Sequence, residues 1–169
     1  VAVDPKEFAA SVHGGMSLPC EACHADSGFG QMPHGTVKPA QCASCHEQAV
    51  KDYAATAHGQ ARKDGSKVAA SCADCHGAHD IVKRDNPASR VHRAKLEATC
   101  AACHGNEALI QKANLPGGNV AGKFHDSIHG KALKGAARGS APTCTNCHGA
   151  HSILAKSEEG SRTNRAKVP

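Results

Sequence analysis

The sequence predicts a mostly irregular fold with short α-helices and almost no β structure. The chain of 169 residues holds three Phe, one Tyr and no Trp, so its side chains alone offer little apolar surface to bury. No stretch of useful length alternates apolar and polar residues as a half-buried strand would. Five copies of the pattern Cys-x-x-Cys-His use all ten cysteines. These observations indicate a chain that is organised around bound groups and not around a side-chain core.

The spacing within each Cys-x-x-Cys-His copy is the attachment signature of c-type haem. On a helical turn, positions i, i+3 and i+4 share one face, so two thiols and an imidazole point at the same porphyrin. We therefore expect five covalently bound haem c groups with iron at their centres. The expected attachment residues are Cys20, Cys23, Cys42, Cys45, Cys72, Cys75, Cys100, Cys103, Cys144 and Cys147. The expected proximal iron ligands are His24, His46, His76, His104 and His148.

Other uses of paired cysteines fit this pattern less well. Zinc sites, redox dithiols and disulfide frameworks all employ such pairs, but none of them requires a histidine directly after every second cysteine. Haem also resolves the shortage of apolar side chains, because each haem is a large apolar body that is tied to the chain at three points. We expect the apoprotein to be unfolded, as small metal-dependent domains are without their metal.

A second motif marks an internal repeat. It consists of an aromatic residue, two further residues, Ser or Thr, any residue and then His-Gly, and its copies begin at Phe8, Tyr53 and Phe124. A haem motif follows each copy, and in the second and third copies it extends to Cys-His-Gly-Ala-His. We therefore divide one compact haem-cored assembly into three units. They are residues 1–52 with two haem motifs, residues 53–114 with two, and residues 115–169 with one.

The third unit is shorter than the repeat demands. Residues 71–97 match residues 143–169 without a gap at an offset of 72, so a second haem motif of the third unit would begin at position 172. Two explanations stay open. Either a sixth motif was lost in evolution, or the sequence is part of a longer protein.

Eight histidines lie outside the haem motifs, and bis-histidine ligation of the irons would account for most of them. Six occupy positions of the repeat, while His92 and His125 do not and are expected to be exposed or to contact haem propionates. Six candidates exceed five irons, so one is spare, serves a neighbouring molecule or ligates a haem that this chain lacks. The expected distal ligands are His13, His34, His58, His79, His129 and His151.

Secondary structure is expected to be sparse. Short helices are predicted at residues 5–11, 48–56, 95–103 and 106–113, and further short helices are predicted to carry the haem motifs. Stretches rich in Gly, each with a Pro, predict loops at residues 28–35 and 115–122. The second of these loops is the best candidate for a boundary between lobes.

The haem motifs, with the Ser-x-His-Gly and Cys-His-Gly-x-His stretches, resemble those of multihaem c-type cytochromes of bacterial respiration along nearly the whole chain. The resemblance implies a polypeptide wrapped around a row of stacked haems, which carries electrons in anaerobic or extracellular respiration between redox protein partners. The alternative is a homo-oligomer, such as a cytochrome filament, or a subunit of a larger membrane-associated electron-transfer complex. A reductase fits less well, because the Cys-x-x-Cys-Lys motif that keeps one haem open in related nitrite reductases is absent.

The formal charge of +5 does not indicate a nucleic-acid partner. Five haems would bring about ten propionate charges and leave the oxidised holoprotein near neutral, and no basic tract carries interleaved aromatic residues. No apolar run is long enough to span a bilayer. The chain opens with Val1 and without Met, which we interpret as a processed N-terminus. Because covalent haem attachment takes place outside the bacterial cytoplasmic membrane, we expect a periplasmic or extracellular protein.

Overall fold

The computed structural model describes residues 3–25, 27–29, 36–135 and 139–166. Within these ranges the chain forms short helices joined by turns, and no strand occurs, so the predicted helical and irregular fold is confirmed. Three 3₁₀ turns lie at Gly14–Met16, Cys20–Ala22 and Cys42–Ser44. The α-helices are α1 (Pro5–Ala10), α2 (Glu47–Ala54), α3 (Ala57–Lys63), α4 (Cys72–His76), α5 (Leu96–His104), α6 (Glu107–Lys112), α7 (Val120–Asp126), α8 (Ile128–Lys134) and α9 (Cys144–His148).

The helices that the sequence predicted at residues 5–11, 48–56, 95–103 and 106–113 are present as α1, α2, α5 and α6, with bounds shifted by one or two residues. Helix α1 begins as expected, because Asp4 accepts hydrogen bonds from the Lys6 and Glu7 N–H groups and Pro5 occupies the first helical position. The loop predicted at 115–122 is wrong at its end, since α7 begins at Val120. Of the loop predicted at 28–35, only residues 28 and 29 lie among the described residues.

Each Cys-x-x-Cys-His motif forms a single helical turn. The third and fifth motifs are α4 and α9, and the fourth is the end of α5. The first two motifs are 3₁₀ turns and not α-helices, which departs from the prediction. The turn still closes in both, because the His24 N–H donates to the Cys20 carbonyl at 2.9 Å and the His46 N–H to the Cys42 carbonyl at 2.9 Å. In every copy the histidine therefore lies one helical turn after the first cysteine, on the same face.

The polypeptide by itself buries very little. Among the described residues the buried hydrophobic side chains are Leu96, Ile110 and Ala141. Leu96 lies in α5 and Ile110 in α6, and α5 contacts α6, α7 and α9. The accessible surface is 11745 Å² for a mass of 17.3 kDa, whereas a compact protein of that mass exposes about 7,800 Å². A large share of the surface is therefore left for bound groups to cover.

The three aromatic His-Gly motifs share one backbone arrangement that requires glycine. At Gly14, Gly59 and Gly130 an added Cβ would collide with the backbone carbonyl of the aromatic residue six positions earlier, which is Phe8, Tyr53 or Phe124. The turn that carries the histidine thus packs directly on the end of the preceding helix. The motif glycine is fixed by this close approach and not by an unusual φ angle.

Substituting Gly14 should distinguish this packing from general loss of a flexible residue. We expect Gly14→Ala to lower the free energy of unfolding by about 1–3 kcal/mol, because the new methyl group forces two backbone segments apart. The control is Gly15→Ala, since a Cβ at Gly15 meets no atom within 4 Å. Denaturant midpoints of the holoprotein, followed by far-ultraviolet circular dichroism, give the comparison. Equal midpoints for the two variants would contradict the packing argument.

Candidate haem-binding sites

Four of the five motif histidines face a second imidazole that lies outside the haem motifs. The ring centroids are 6.1 Å apart for His13 and His46, 6.2 Å for His24 and His79, 5.9 Å for His58 and His104, and 5.8 Å for His76 and His151. A metal–imidazole bond is about 2 Å long, so two rings on opposite sides of one metal have centroids roughly 6 Å apart. The four pairs therefore have the spacing that axial ligation of an iron requires.

The remaining histidines are placed differently. His148, in the fifth motif, is exposed and has no imidazole opposite it among the described residues. His129 is exposed and faces no motif histidine in the same part of the chain. His34, the sixth expected distal ligand, lies outside the described residues.

The two histidines that the repeat did not demand contact nearby polar groups. The Nδ1 atom of His92 accepts a hydrogen bond from the Ala94 N–H at 3.2 Å, and the His92 ring is half-buried. The exposed His125 lies between Asp126, whose carboxylate is 3.2 Å from Nδ1, and the Lys134 ammonium group. Neither histidine faces a motif histidine among the described residues.

The electrostatic surroundings of the paired imidazoles favour their neutral form. Burial lowers the pKa of His58, and the neighbouring His104 lowers it further. Burial also lowers the pKa of His104, with His148 as a second cause, and that of His76, with His151 and His46 as further causes. Only a neutral imidazole has a free nitrogen lone pair for a metal. These side chains are thus prepared to act as ligands at neutral pH.

The haem motifs are neighbours in space in the order in which they occur along the chain. Burial raises the pKa of Cys42, and the neighbouring thiols of Cys72 and Cys23 raise that pKa further. Cys75 in turn interacts with Cys103. These contacts connect the first four motifs in sequence.

The fourth and fifth motifs meet through their first cysteines. The hydrogen bond between the two thiols lowers the pKa of Cys144 to about 7 and raises that of Cys100. A thiol with a lowered pKa is the more reactive partner of such a pair. All ten cysteines are free and at least partly accessible, as attachment to a porphyrin requires.

The histidine of each aromatic His-Gly motif is held by a Ser or Thr hydroxyl. The Thr56 hydroxyl accepts a hydrogen bond from the Gly59 N–H at 3.0 Å and donates one to the Tyr53 carbonyl at 2.6 Å. Ser127 makes the same two bonds with Gly130 and Phe124. Ser11 accepts from the Gly14 N–H at 3.0 Å. Each hydroxyl therefore starts a helical turn on which the next residue but one is the histidine.

The Cys-His-Gly-Ala-His stretches also have a common geometry. A capping box begins each of them, formed by Ser71 with Asp74 and by Thr143 with Asn146. Gly77 and Gly149 then adopt φ angles of 88° and 80°, which favour glycine because a Cβ would be strained there. The chain turns sharply at this glycine. The second histidine is thereby carried away from the turn of its own motif and towards the preceding unit.

Sequence reasoning missed the backbone hydrogen bonds that connect one unit to the next. The Val12 N–H donates to the Ile81 carbonyl at 2.8 Å, and the Ala57 N–H donates to the Ile153 carbonyl at 3.1 Å. Each donor lies directly before the histidine of an aromatic motif, and each acceptor lies two residues after a Cys-His-Gly-Ala-His histidine. The recurrence of Ile at that acceptor position was the available signal.

One motif imidazole is held by the backbone. The Nδ1 atom of His24 lies 2.7 Å from the Lys38 carbonyl oxygen, so the ring N–H donates there and leaves Nε2 as the free nitrogen. In the described part of the chain, no group of three or more His, Cys, Asp or Glu side chains could hold a metal ion. The site chemistry is therefore that of imidazole pairs beside pairs of thiols. This arrangement fits haem c, and a zinc site would need four converging ligands.

Repeated Cys-x-x-Cys-His turns and facing imidazoles, with no strand in the described part of the chain, define a class of protein, the multihaem c-type cytochromes. The family model described as Cytochrome c3 matches residues 12–105, which is more than half of the chain. The chain belongs to the cytochrome c3 family, whose members bind haem c covalently and are generally electron carriers. Comparison with curated proteins finds no significant match, and comparison with solved structures finds none.

Members of this family are typically periplasmic or secreted. Among the described residues, no helix combines the length and the apolar character that crossing a membrane would need.

Removing the Thr56 hydroxyl should loosen the turn that carries His58. Thr56 is 1% exposed, so Thr56→Val would leave the Gly59 N–H without its acceptor and lower the free energy of unfolding by about 1–3 kcal/mol. The Tyr53 carbonyl would keep its hydrogen bond from the Thr56 backbone N–H at 2.9 Å. Thr56→Ser is the matched control, because Ser occupies this position in the other two motifs. Denaturant unfolding of the holoprotein provides the measurement. Equal stability of Thr56→Val and the parent would show that the hydroxyl is dispensable.

Proposed function

We propose that this chain carries electrons along five covalently attached haem c groups in anaerobic or extracellular respiration. Each haem would be held by the two thiols and the histidine of one Cys-x-x-Cys-His motif. The family assignment supports haem attachment and electron transfer. The observation that carries the proposal is the set of four imidazole pairs, because the two rings of each pair come from distant parts of the chain and meet at ligand spacing.

The four imidazole pairs are of two kinds, those within one unit and those between two units. His13 and His58 face the second haem motif of their own unit, at His46 and His104. The other two pairs cross between units. His79 of the second unit faces His24 of the first, and His151 of the third unit faces His76 of the second. Distal ligation would therefore close each unit and also connect it to its neighbour.

This ligand arrangement suits electron transfer. When bound, haem iron supplies a centre that changes between the ferric and ferrous states. With two imidazoles held at each iron, no coordination position would stay open for a substrate, and ring hydrogen bonds such as that of His24 to Lys38 would tune the centre. The five motifs adjoin one another in chain order, which supports transfer along a row from the first unit to the third.

A reductase function has less support. The related nitrite reductases keep one haem open, and hydroxylamine-oxidising relatives need an open haem that is cross-linked to a tyrosine. The only tyrosine of the chain is Tyr53, and its hydroxyl donates a hydrogen bond to the Ala70 carbonyl at 2.6 Å. Burial also raises the pKa of Tyr53. Its hydroxyl is thus committed to holding the backbone.

The distal assignment predicts the effect of a single histidine substitution. His151→Ala removes the imidazole that faces His76, so we expect one haem more than in the parent to become high-spin in the ferric state. His92→Ala is the control and should leave the number of high-spin haems unchanged. Electron paramagnetic resonance of the oxidised holoproteins counts them. An unchanged spectrum for His151→Ala would exclude this residue as a ligand.

The proposed function is tested on the purified holoprotein. Its intact mass should equal the polypeptide plus five haems, and a reductive titration should take up five electrons per chain. On an electrode the protein should exchange these electrons reversibly, without a catalytic current when nitrite or hydroxylamine is added. A smaller haem count would overturn the five-haem assignment, and a catalytic current would favour the enzyme.

A further inference from the structure

Consecutive units meet at a joint, and each joint combines a backbone hydrogen bond with a pair of facing imidazoles. At the first joint, the Val12 N–H donates to the Ile81 carbonyl, and His79 faces His24. At the second joint, the Ala57 N–H donates to the Ile153 carbonyl, and His151 faces His76. In both, the earlier unit provides the N–H before its aromatic-motif histidine and the imidazole of its first haem motif. The later unit provides a Cys-His-Gly-Ala-His segment.

The third unit has the two groups that the earlier unit provides at each joint, an N–H before the aromatic-motif histidine and the imidazole of the first haem motif. These two groups form the accepting half of a joint, because they receive the segment of the later unit. Ile128 occupies the position of Val12 and Ala57, directly before the motif histidine, and its N–H has no acceptor among the described residues. The imidazole of the first haem motif in this unit is His148, which likewise has no opposing ring in that part of the chain.

The accepting half of the third unit has the same local structure as that of the second unit. The Ser127 hydroxyl accepts from the Gly130 N–H at 3.2 Å and donates to the Phe124 carbonyl at 2.6 Å, as Thr56 does at the occupied joint. The Ile128 side chain is 79% exposed, which is the highest value among the exposed large hydrophobic residues that the structure describes. A preformed turn with an exposed branched apolar side chain is suited to a protein surface that packs on it.

We propose that Ile128 and the haem motif at Cys144–His148 together form a docking site for another repeat of this kind. The occupant is a Cys-His-Gly-x-His segment, because the chain places such a segment on the equivalent surface twice. Its second histidine supplies the distal ligand of the fifth haem, and its backbone carbonyl two residues further on accepts from the Ile128 N–H. The inference rests on the proposed bis-histidine ligation and extends it to a ligand that residues 3–25, 27–29, 36–135 and 139–166 do not provide.

The first test counts ligand-accessible haems in the holoprotein of residues 1–169. Reduced parent protein should bind one carbon monoxide per five haems, and millimolar imidazole should compete for that one site. His129→Ala should leave the count at one, since His129 faces no motif histidine in the described chain. A parent that binds no carbon monoxide would overturn the inference, because the fifth haem would then be ligated from within the chain.

His13→Ala separates failure of this inference from failure of the proposed function. His13 holds the same motif position as His129 but faces His46, so the variant should bind two carbon monoxide molecules. A parent count of one with an unchanged count in His13→Ala would overturn the distal assignment of His13 while leaving the fifth site open. A parent count of zero that rises to one in His129→Ala would assign the ligand to His129 and overturn the docking proposal.

The second test addresses the surface. The probe is the hexapeptide with the sequence of residues 149–154, Gly-Ala-His-Ser-Ile-Leu, and the reference ligand is free imidazole. We expect the peptide to convert the high-spin haem to low spin at a concentration roughly tenfold below that for imidazole, since it adds a backbone hydrogen bond and apolar contact. Ile128→Asp should abolish this advantage without affecting free imidazole.

Val120→Asp is the matched control, because Val120 is also an exposed branched residue and lies outside the proposed joint. It should keep the advantage of the peptide over imidazole. A peptide that binds no tighter than imidazole to the parent, or an advantage that survives Ile128→Asp, would overturn the docking surface.

Discussion

The scarcity of burial by side chains is the constraint on which the rest of this structure depends. Three hydrophobic side chains are buried among the described residues, and the polypeptide exposes far more surface than a compact protein of its mass. Such a chain offsets little of its conformational entropy by packing. Distant segments meet at the facing imidazoles and at the backbone hydrogen bonds of Val12 and Ala57. The proposed ligation of haem iron would thus serve the fold as well as electron transfer.

The repeat motifs couple the placement of a histidine to backbone packing. Thr56 and Ser127 each connect the end of one helix to the start of the next, and the motif glycine lets the two backbones touch. The histidine between hydroxyl and glycine therefore has little freedom of position. In the other repeat stretch, Gly77 and Gly149 turn the second histidine towards the preceding unit. Each motif thus fixes the position of one imidazole.

The two kinds of imidazole pair give the chain a direction. Two pairs join histidines of the same unit. In the other two pairs, a histidine of the later unit faces a haem-motif histidine of the earlier unit. The backbone bonds of Val12 and Ala57 follow the same direction. A repeat built in this way leaves an accepting surface on its last described unit, at Ile128 and His148. The proposed function as an electron-carrying row and the proposed docking site share this one arrangement.

The sequence by itself determined the Cys-x-x-Cys-His motifs, the repeat and the lack of strands among the described residues, because each of these depends on local spacing or composition. It also predicted helices α1, α2, α5 and α6 from their residue patterns. It misplaced the start of α7, where the Asn119 side chain accepts from the Gly122 N–H at 2.7 Å and caps a helix in a stretch rich in Gly. Only the tertiary structure decided which imidazole faces which, and that Ile128 stands unpaired in the described chain. Facing rings such as His24 and His79 belong to turns far apart in sequence, so their meeting is set by how the units pack and not by any local pattern.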